Sequence, residues 1–179
     1  MEEDLFFMNE AMKEAKKALR RDEVPVGAIL VRAGTVLARG HNRKESRNDP
    51  TAHAEIDVLR KASGKAGTWR LAGTTLYVTL EPCLMCMGAA LHARVDRIVF
   101  AAFDPKAGAC GSLYDLSKDP RLNHRIETTS GVKAEAAGRL LREFFSDLRK
   151  RGRHKPGARQ GRASNAVEKP KKNFEEAVE

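Results

Sequence analysis

No stretch of the 179-residue chain approaches the roughly 18 consecutive apolar residues that a membrane-spanning helix needs, so no such span is expected. No secretory leader is expected either. The opening MEEDLFFMNEAMKEAKKALRR sets acids ahead of a short apolar patch, where a signal peptide carries positive charge ahead of a longer one. An organellar form would need a targeting segment before Met1, so a cytoplasmic location is expected. Cysteine is scarce. Cys83, Cys86 and Cys110 are too few, and odd in number, for a disulfide framework. Two of them form Cys-x-x-Cys, which in a reducing compartment points to metal or redox chemistry. No internal repeat is present. Acidic charge runs short only near the end: ten Lys+Arg against four Asp+Glu follow residue 148, six of the net nine positive charges. A basic extension of this kind either solubilises a chain or touches nucleic acid.

What remains is ordinary globular composition, with 41% hydrophobic and 32% charged residues, in a length that suits one domain. Leu5, Met8, Met12, Ala15 and Leu19 recur in steps of three and four, which predicts an amphipathic helix over 2–20. PVGAILVRAGTVLARGHN holds two β-rich runs around Ala33-Gly34 and reads as a hairpin. A helix is expected over about 53–63, a buried strand at TTLYVTLE, a helix at PCLMCMGAALHAR with Pro82 near its first position, and a strand at RIVFAAF. The small-residue stretch DPKAGACGSLYDL reads as a loop and HRIETTSG as a short last strand. Ala137, Leu140, Leu141, Phe144 and Leu148 mark a final helix ending near Lys150. This order implies a mixed sheet with helices on both faces. The expected organisation is a domain over 1–150 and a basic, disordered tail over 151–179.

The chemistry lies in two short stretches. In TLEPCLMC, Cys83 and Cys86 share one face of a first helical turn, where free N–H groups and the helix dipole favour thiolates. In DPTAHAEIDVLR, His53 and Glu55 stand at the mouth of another helix. Two thiolates and an imidazole make the three protein ligands of a catalytic zinc site, whose fourth position holds water. His92 lies two turns down its helix and points away, whereas spacing alone leaves Cys110 open as a fourth ligand. Water on zinc ionises near pKa 7, and Glu55 beside it can act as general base and then general acid. Positions i and i+2 of a regular helix do not face the same way. Either His53 stands at the helix entry or Glu55 reaches around. Alone, His53 reads as a cap or surface residue and Cys-x-x-Cys as a redox pair or half a structural site.

H-x-E…P-C-x-x-C is the established signature of the zinc-dependent nucleoside and nucleobase deaminases. EVPVGAILV, GHNR, DPTAHAEI, TLYVTLEPCLMCMGA, DPKAGACGSL and LNHR resemble successive blocks of one branch, the bacterial tRNA-specific adenosine deaminases, across about residues 3–150. The resemblance implies a three-layer α/β/α, cytidine-deaminase-like fold with a mixed five-stranded sheet, and a homodimer with one Zn2+ per subunit. It implies hydrolytic deamination of the wobble adenosine, position 34, of the arginine tRNA with anticodon ACG, giving inosine. His53, Cys83 and Cys86 carry over as zinc ligands and Glu55 as the proton shuttle. Asn42 carries over as a contact to the target nucleoside of the tRNA anticodon loop and Ala54 as a position whose backbone faces the base, while Val26 and Phe145 are expected to line the pocket or the RNA groove. For Asp104 the implied target is the flanking RNA, where a 2′-OH can donate to its carboxylate.

Bland readings stand beside these roles. Asn42 and Asp104 suit turns, Glu81 suits a helix start, and Phe144 fits the apolar stripe of the last helix. Phe103 belongs to the pocket or the RNA groove, and Leu80 stands where the family allows an aromatic. Cys110 is taken as a free thiol. Two other functions fit parts of the pattern: a deaminase of free guanine or cytidine, and a non-catalytic RNA-binding subunit with structural zinc. An intact Glu55 speaks against the second.

Overall fold

The computed structural model of the protein describes residues 2–153. Helix α1 (Glu2–Leu19) leads into strands β1 (Gly27–Arg32) and β2 (Thr35–His41). They meet at Ala33 and Gly34, whose φ of 45° and 73° make the twisted turn that closes a tight hairpin. The short helix α2 (Lys44–Arg47) precedes α3 (Ala54–Ala66), β3 (Thr74–Leu80), α4 (Leu84–Ala93), β4 (Arg97–Ala102), β5 (Glu127–Ser130) and α5 (Ala134–Arg153). The five strands form one sheet in the order β2-β1-β3-β4-β5. Strand β1 runs antiparallel to β2 and β3, whereas β3, β4 and β5 are parallel.

Alternation along the central strands sorts side chains to two apolar layers. Ala28, Leu30, Leu76, Val78, Ile98 and Phe100 face α3 and α4, packing on Val58, Leu59, Met87 and Leu91. Ile29, Val31, Tyr77, Val99 and Ala101 face the other way, against Phe7, Met8 and Ala11 of α1 and Ala137 of α5. The expected α/β/α layering is therefore present. No described helix is long and apolar enough to cross a membrane.

Three boundaries depart from the sequence reading. Pro82 is not a first-turn residue: Cys83 is the N-cap of α4, so Pro82 sits one position outside it. Helix α2 was not anticipated, since its four residues carry no apolar period. Helix α5 runs through Arg153, past Lys150, so a domain boundary at 150 falls within a helix. The expected tail, apart from 151–153, lies outside the described residues.

The sheet topology gathers one edge of the molecule. The C-terminal ends of parallel β3 and β4 lie together, and antiparallel pairing brings the start of β1 and the end of β2 to the same rim. Carboxyl ends of strands are where open α/β sheets place their ligands.

Candidate metal centre and cleft

The stretch DPTAHAE enters α3 through a local turn. Asp49 Oδ1 accepts the N–H of Thr51 at 2.8 Å and its hydroxyl at 2.7 Å. His53 is then the N-cap, extended at φ −77° and ψ 155°, and its ring makes no capping hydrogen bond. This resolves the i, i+2 difficulty, because His53 stands outside the helix while Glu55 belongs to its first turn. Cys83 repeats the device as the extended N-cap of α4, again without a side-chain cap. A hydroxyl at either position would turn back onto the helix. The imidazole and thiol instead point across the gap, and two helix N-termini converge on them.

His53 Nδ1 lies 3.8 Å from Cys83 Sγ and 3.6 Å from Cys86 Sγ, and the three donor atoms all fall within 4.8 Å of one another. Tetrahedral zinc with Zn–S of about 2.3 Å and Zn–N of about 2.0–2.1 Å separates N and S by about 3.6 Å. The donors thus fit zinc in kind and spacing. A hydrogen bond from the Cys86 thiol, opposed by burial and helped by His53, brings Cys83 down to about 4. The same bond, together with burial, pushes Cys86 upward. Hydrogen bonding to Cys83, against the effect of burial, raises His53. One thiolate forms readily, and a bound cation would favour the second.

Glu55 is buried, and its Oε2 has no hydrogen-bond partner among the described residues. Burial pushes its carboxyl above the usual range. An unpaired carboxylate oxygen in the interior is costly, and Glu55 lines the same cleft as His53 and Cys83.

That cleft encloses about 870 Å³. Val26, Asn42, Asp104 and Phe145, all expected contacts, line it. Ala54 does not. It is fully buried, and Asn42 Oδ1 accepts its N–H at 3.0 Å. Asn42 therefore tethers the α3 entrance, while its carboxamide nitrogen makes no hydrogen bond among the described residues. Asp104 has the turn role weighed for it, since Oδ1 accepts the N–H groups of Lys106 and Ala107 at 2.9 and 3.3 Å. Phe103 also lines the cleft and stacks edge-on against Phe100 at 5.1 Å. Phe144 is half-buried, in edge contact with Phe145, and belongs to neither core layer. Cys110 is buried outside the three-donor group, and burial pushes its thiol up to about 12.

The sequence reading missed the basic rim. Lys44, Lys106, Arg142 and Arg149 line the cleft opening. Arg142, Phe145, Ser146 and Arg149 stand at i, i+3, i+4 and i+7, one face of α5, a spacing legible in the sequence. From its sequence position Glu81 suits a helix start. It makes no cap on α4 and instead accepts hydrogen bonds from the loop after β4.

Residues 2–149 match the family of MafB19-like deaminases. The chain is 51% identical to the tRNA-specific adenosine deaminase of Bacillus subtilis over 151 residues, 84% of this chain and 94% of that one. It is 41% identical to that of Streptococcus pyogenes over 84% of this chain and 95% of that one. A solved structure from work on A-to-I editing by tRNA:A34 deaminases at the wobble position superposes with a TM-score of 0.74 at 46% identity. It covers 76% of this chain and 99% of the other. A guanine deaminase from Nitrosomonas europaea superposes with a TM-score of 0.66 at 27% identity, over 78% and 83% of the two chains.

Proposed function

The chain belongs to the family of bacterial tRNA-specific adenosine deaminases, and from that premise we propose that it hydrolyses the wobble adenosine, position 34, of the arginine tRNA with anticodon ACG to inosine and ammonia. The observation that carries the reading is the buried, unpartnered Oε2 of Glu55 beside a His/Cys/Cys donor set. A structural metal site has no use for such a carboxylate.

His53, Cys83 and Cys86 would hold one zinc ion. When bound, zinc supplies a Lewis acid that makes water nucleophilic near neutral pH. Glu55 takes a proton at Oε2 and returns it to the leaving amine. Its raised affinity for protons, caused by burial, suits that exchange. Asn42 keeps Oδ1 on Ala54, fixing the turn that carries His53 and Glu55, and offers its amide N–H group to the nucleoside. Val26 gives the pocket an apolar wall, and Phe103 and Phe145 offer ring faces to bases of the loop. The outer oxygen of Asp104 accepts a 2′-OH, and Lys44, Lys106, Arg142 and Arg149 face phosphates.

We further propose a homodimer. Between α3 and α4 a groove of about 730 Å³ is lined by Ile56, Leu59, Trp69, Ala89 and Ala93, and Trp69 is 56% exposed. An apolar face of this kind suits a second copy. Light scattering should then give about twice 19.8 kDa.

The test of function is incubation with an anticodon stem-loop RNA carrying ACG, with inosine read by mass spectrometry. Inosine at the wobble position is expected. Its absence from a folded, zinc-loaded sample, with turnover of guanine or cytidine instead, would replace the RNA reading with a free nucleobase or nucleoside.

A further inference from the structure

The chain segment after β4 reaches the cleft with little apolar packing of its own. Phe103, Pro105, Lys106 and Ala107 are exposed and Asp104 is half-buried, yet all five line the cleft. One buried carboxylate ties this loop to the end of β3. Glu81 is 2% exposed, and its hydrogen-bond donors all belong to this loop. Its Oε2 accepts the N–H of Asp104 at 3.0 Å and the hydroxyl of Ser112. Its Oε1 accepts the N–H groups of Cys110 at 2.9 Å and Ser112 at 3.0 Å. The loop is drawn so close that a Cβ on Gly108 would lie 2.3 Å from the Glu81 carboxyl carbon. The metal side is tied in as well: Ala109 N–H donates to Pro82 O at 2.9 Å, and Gly108 pairs with Cys83 as an isolated bridge.

We propose that Glu81 is a positioning residue for substrate: its carboxylate sets the distance between the wall bearing Phe103 and Asp104 and the cluster of His53, Cys83 and Cys86. This rests on the deaminase reading above. A charged group is needed because of how the donors divide. Glutamine can turn its oxygen toward the two N–H groups of Cys110 and Ser112, and its NH2 can meet the Ser112 hydroxyl. That NH2 then faces the Asp104 N–H, donor against donor. Glu81→Gln therefore releases the Asp104 end of the loop while keeping the rest.

Two measurements test this. In Glu81→Gln, exchange of the Asp104 amide hydrogen should quicken at least tenfold, whatever the protein's substrate. On the ACG stem-loop, KM should rise about ten- to a hundredfold, the worth of one buried hydrogen bond to a charge. The kcat should stay within a few-fold, and zinc per chain should be unchanged. Gly108→Ala, whose Cβ would meet the Glu81 carboxylate and push the loop away from it, should move KM in the same direction and serves if Glu81→Gln does not fold. Unchanged exchange at Asp104 overturns the proposal. So does faster exchange with unchanged KM, and so does loss of zinc with a matching loss of kcat, which would make Glu81 a support of Cys83 alone. Faster exchange in a protein whose wild type edits no RNA would fault the functional reading and leave the anchoring role standing.

Discussion

Glu55 pairs burial with an oxygen that has no partner among the described residues, an arrangement that persists where a reaction uses it. It is not among the three clustered donors. Glu55→Ala should therefore leave zinc stoichiometry intact, measured by elemental analysis, while turnover falls by about 10²–10⁴-fold or more. Loss of metal in that variant would make Glu55 a ligand and overturn its assignment. The cysteines separate by environment. With Cys83 near 4 and half-buried, and Cys110 buried and near 12, alkylation of metal-free protein at pH 7 should mark Cys83 first. Zinc should protect Cys83, and Cys110 should react only on unfolding. Mass mapping of the labelled peptides checks this.

At the scale of elements, α1 is fastened to the sheet by both packing and charge. Gly27 of β1 passes so close that a Cβ would lie 2.2 Å from Ala11 O and Ala15 N. Gly27→Ala must therefore push α1 outward, at about 1–3 kcal/mol or more, seen as a lower urea midpoint with little change in slope. At the other end of α1, Asp4 accepts hydrogen bonds from the two terminal guanidinium nitrogens of Arg97, at 2.8 and 2.9 Å, and from the Tyr77 hydroxyl at 2.9 Å. The hydrogen bond from Arg97 holds the Asp4 carboxyl below its usual range, against the opposing effect of burial. A carboxyl with a lowered folded-state pKa stabilises fully above its unfolded value of about 3.9 and stops doing so as pH falls through the folded value. Asp4→Asn should thus lose about 1–3 kcal/mol at pH 7. The gap from wild type, followed by urea melts, should close below about pH 4.

At the scale of the whole molecule, the strand ends bring apolar, aromatic and basic walls around one deep carboxylate, and the basic rim continues along α5 to Arg149. Because α5 runs through Arg153, the informative truncation removes 154–179, a segment with six Lys+Arg and four Asp+Glu. It should leave kcat unchanged, weaken RNA binding and flatten the dependence of log affinity on log salt, since each phosphate contact releases counterions. Equal affinity and equal slope would mark the segment as a bystander.

The sequence by itself determined the elements with a strong period and the donors with a rare spacing. The α1 stripe, the hairpin around Ala33-Gly34 and the two-faced sheet follow from local steric and chemical preferences carried by neighbouring residues, while the rare spacing of His53, Glu55, Cys83 and Cys86 marked the chemistry that the fold then brings together across some thirty residues. Helix α2 has too few residues to show a period, and the last helix runs on through Gly152, a residue that favours helix ends, so these escaped. Roles fixed by long-range contacts were decided only by the tertiary structure. Ala54 is buried in the core layer, and Asn42, twelve residues earlier, accepts its N–H. Glu81 turns from helix start to loop anchor because four hydrogen bonds from residues 104–112 outweigh what a nearby helix end offers. A buried carboxylate goes to the donors that satisfy it most fully, and where those donors lie is settled by the fold of the whole chain.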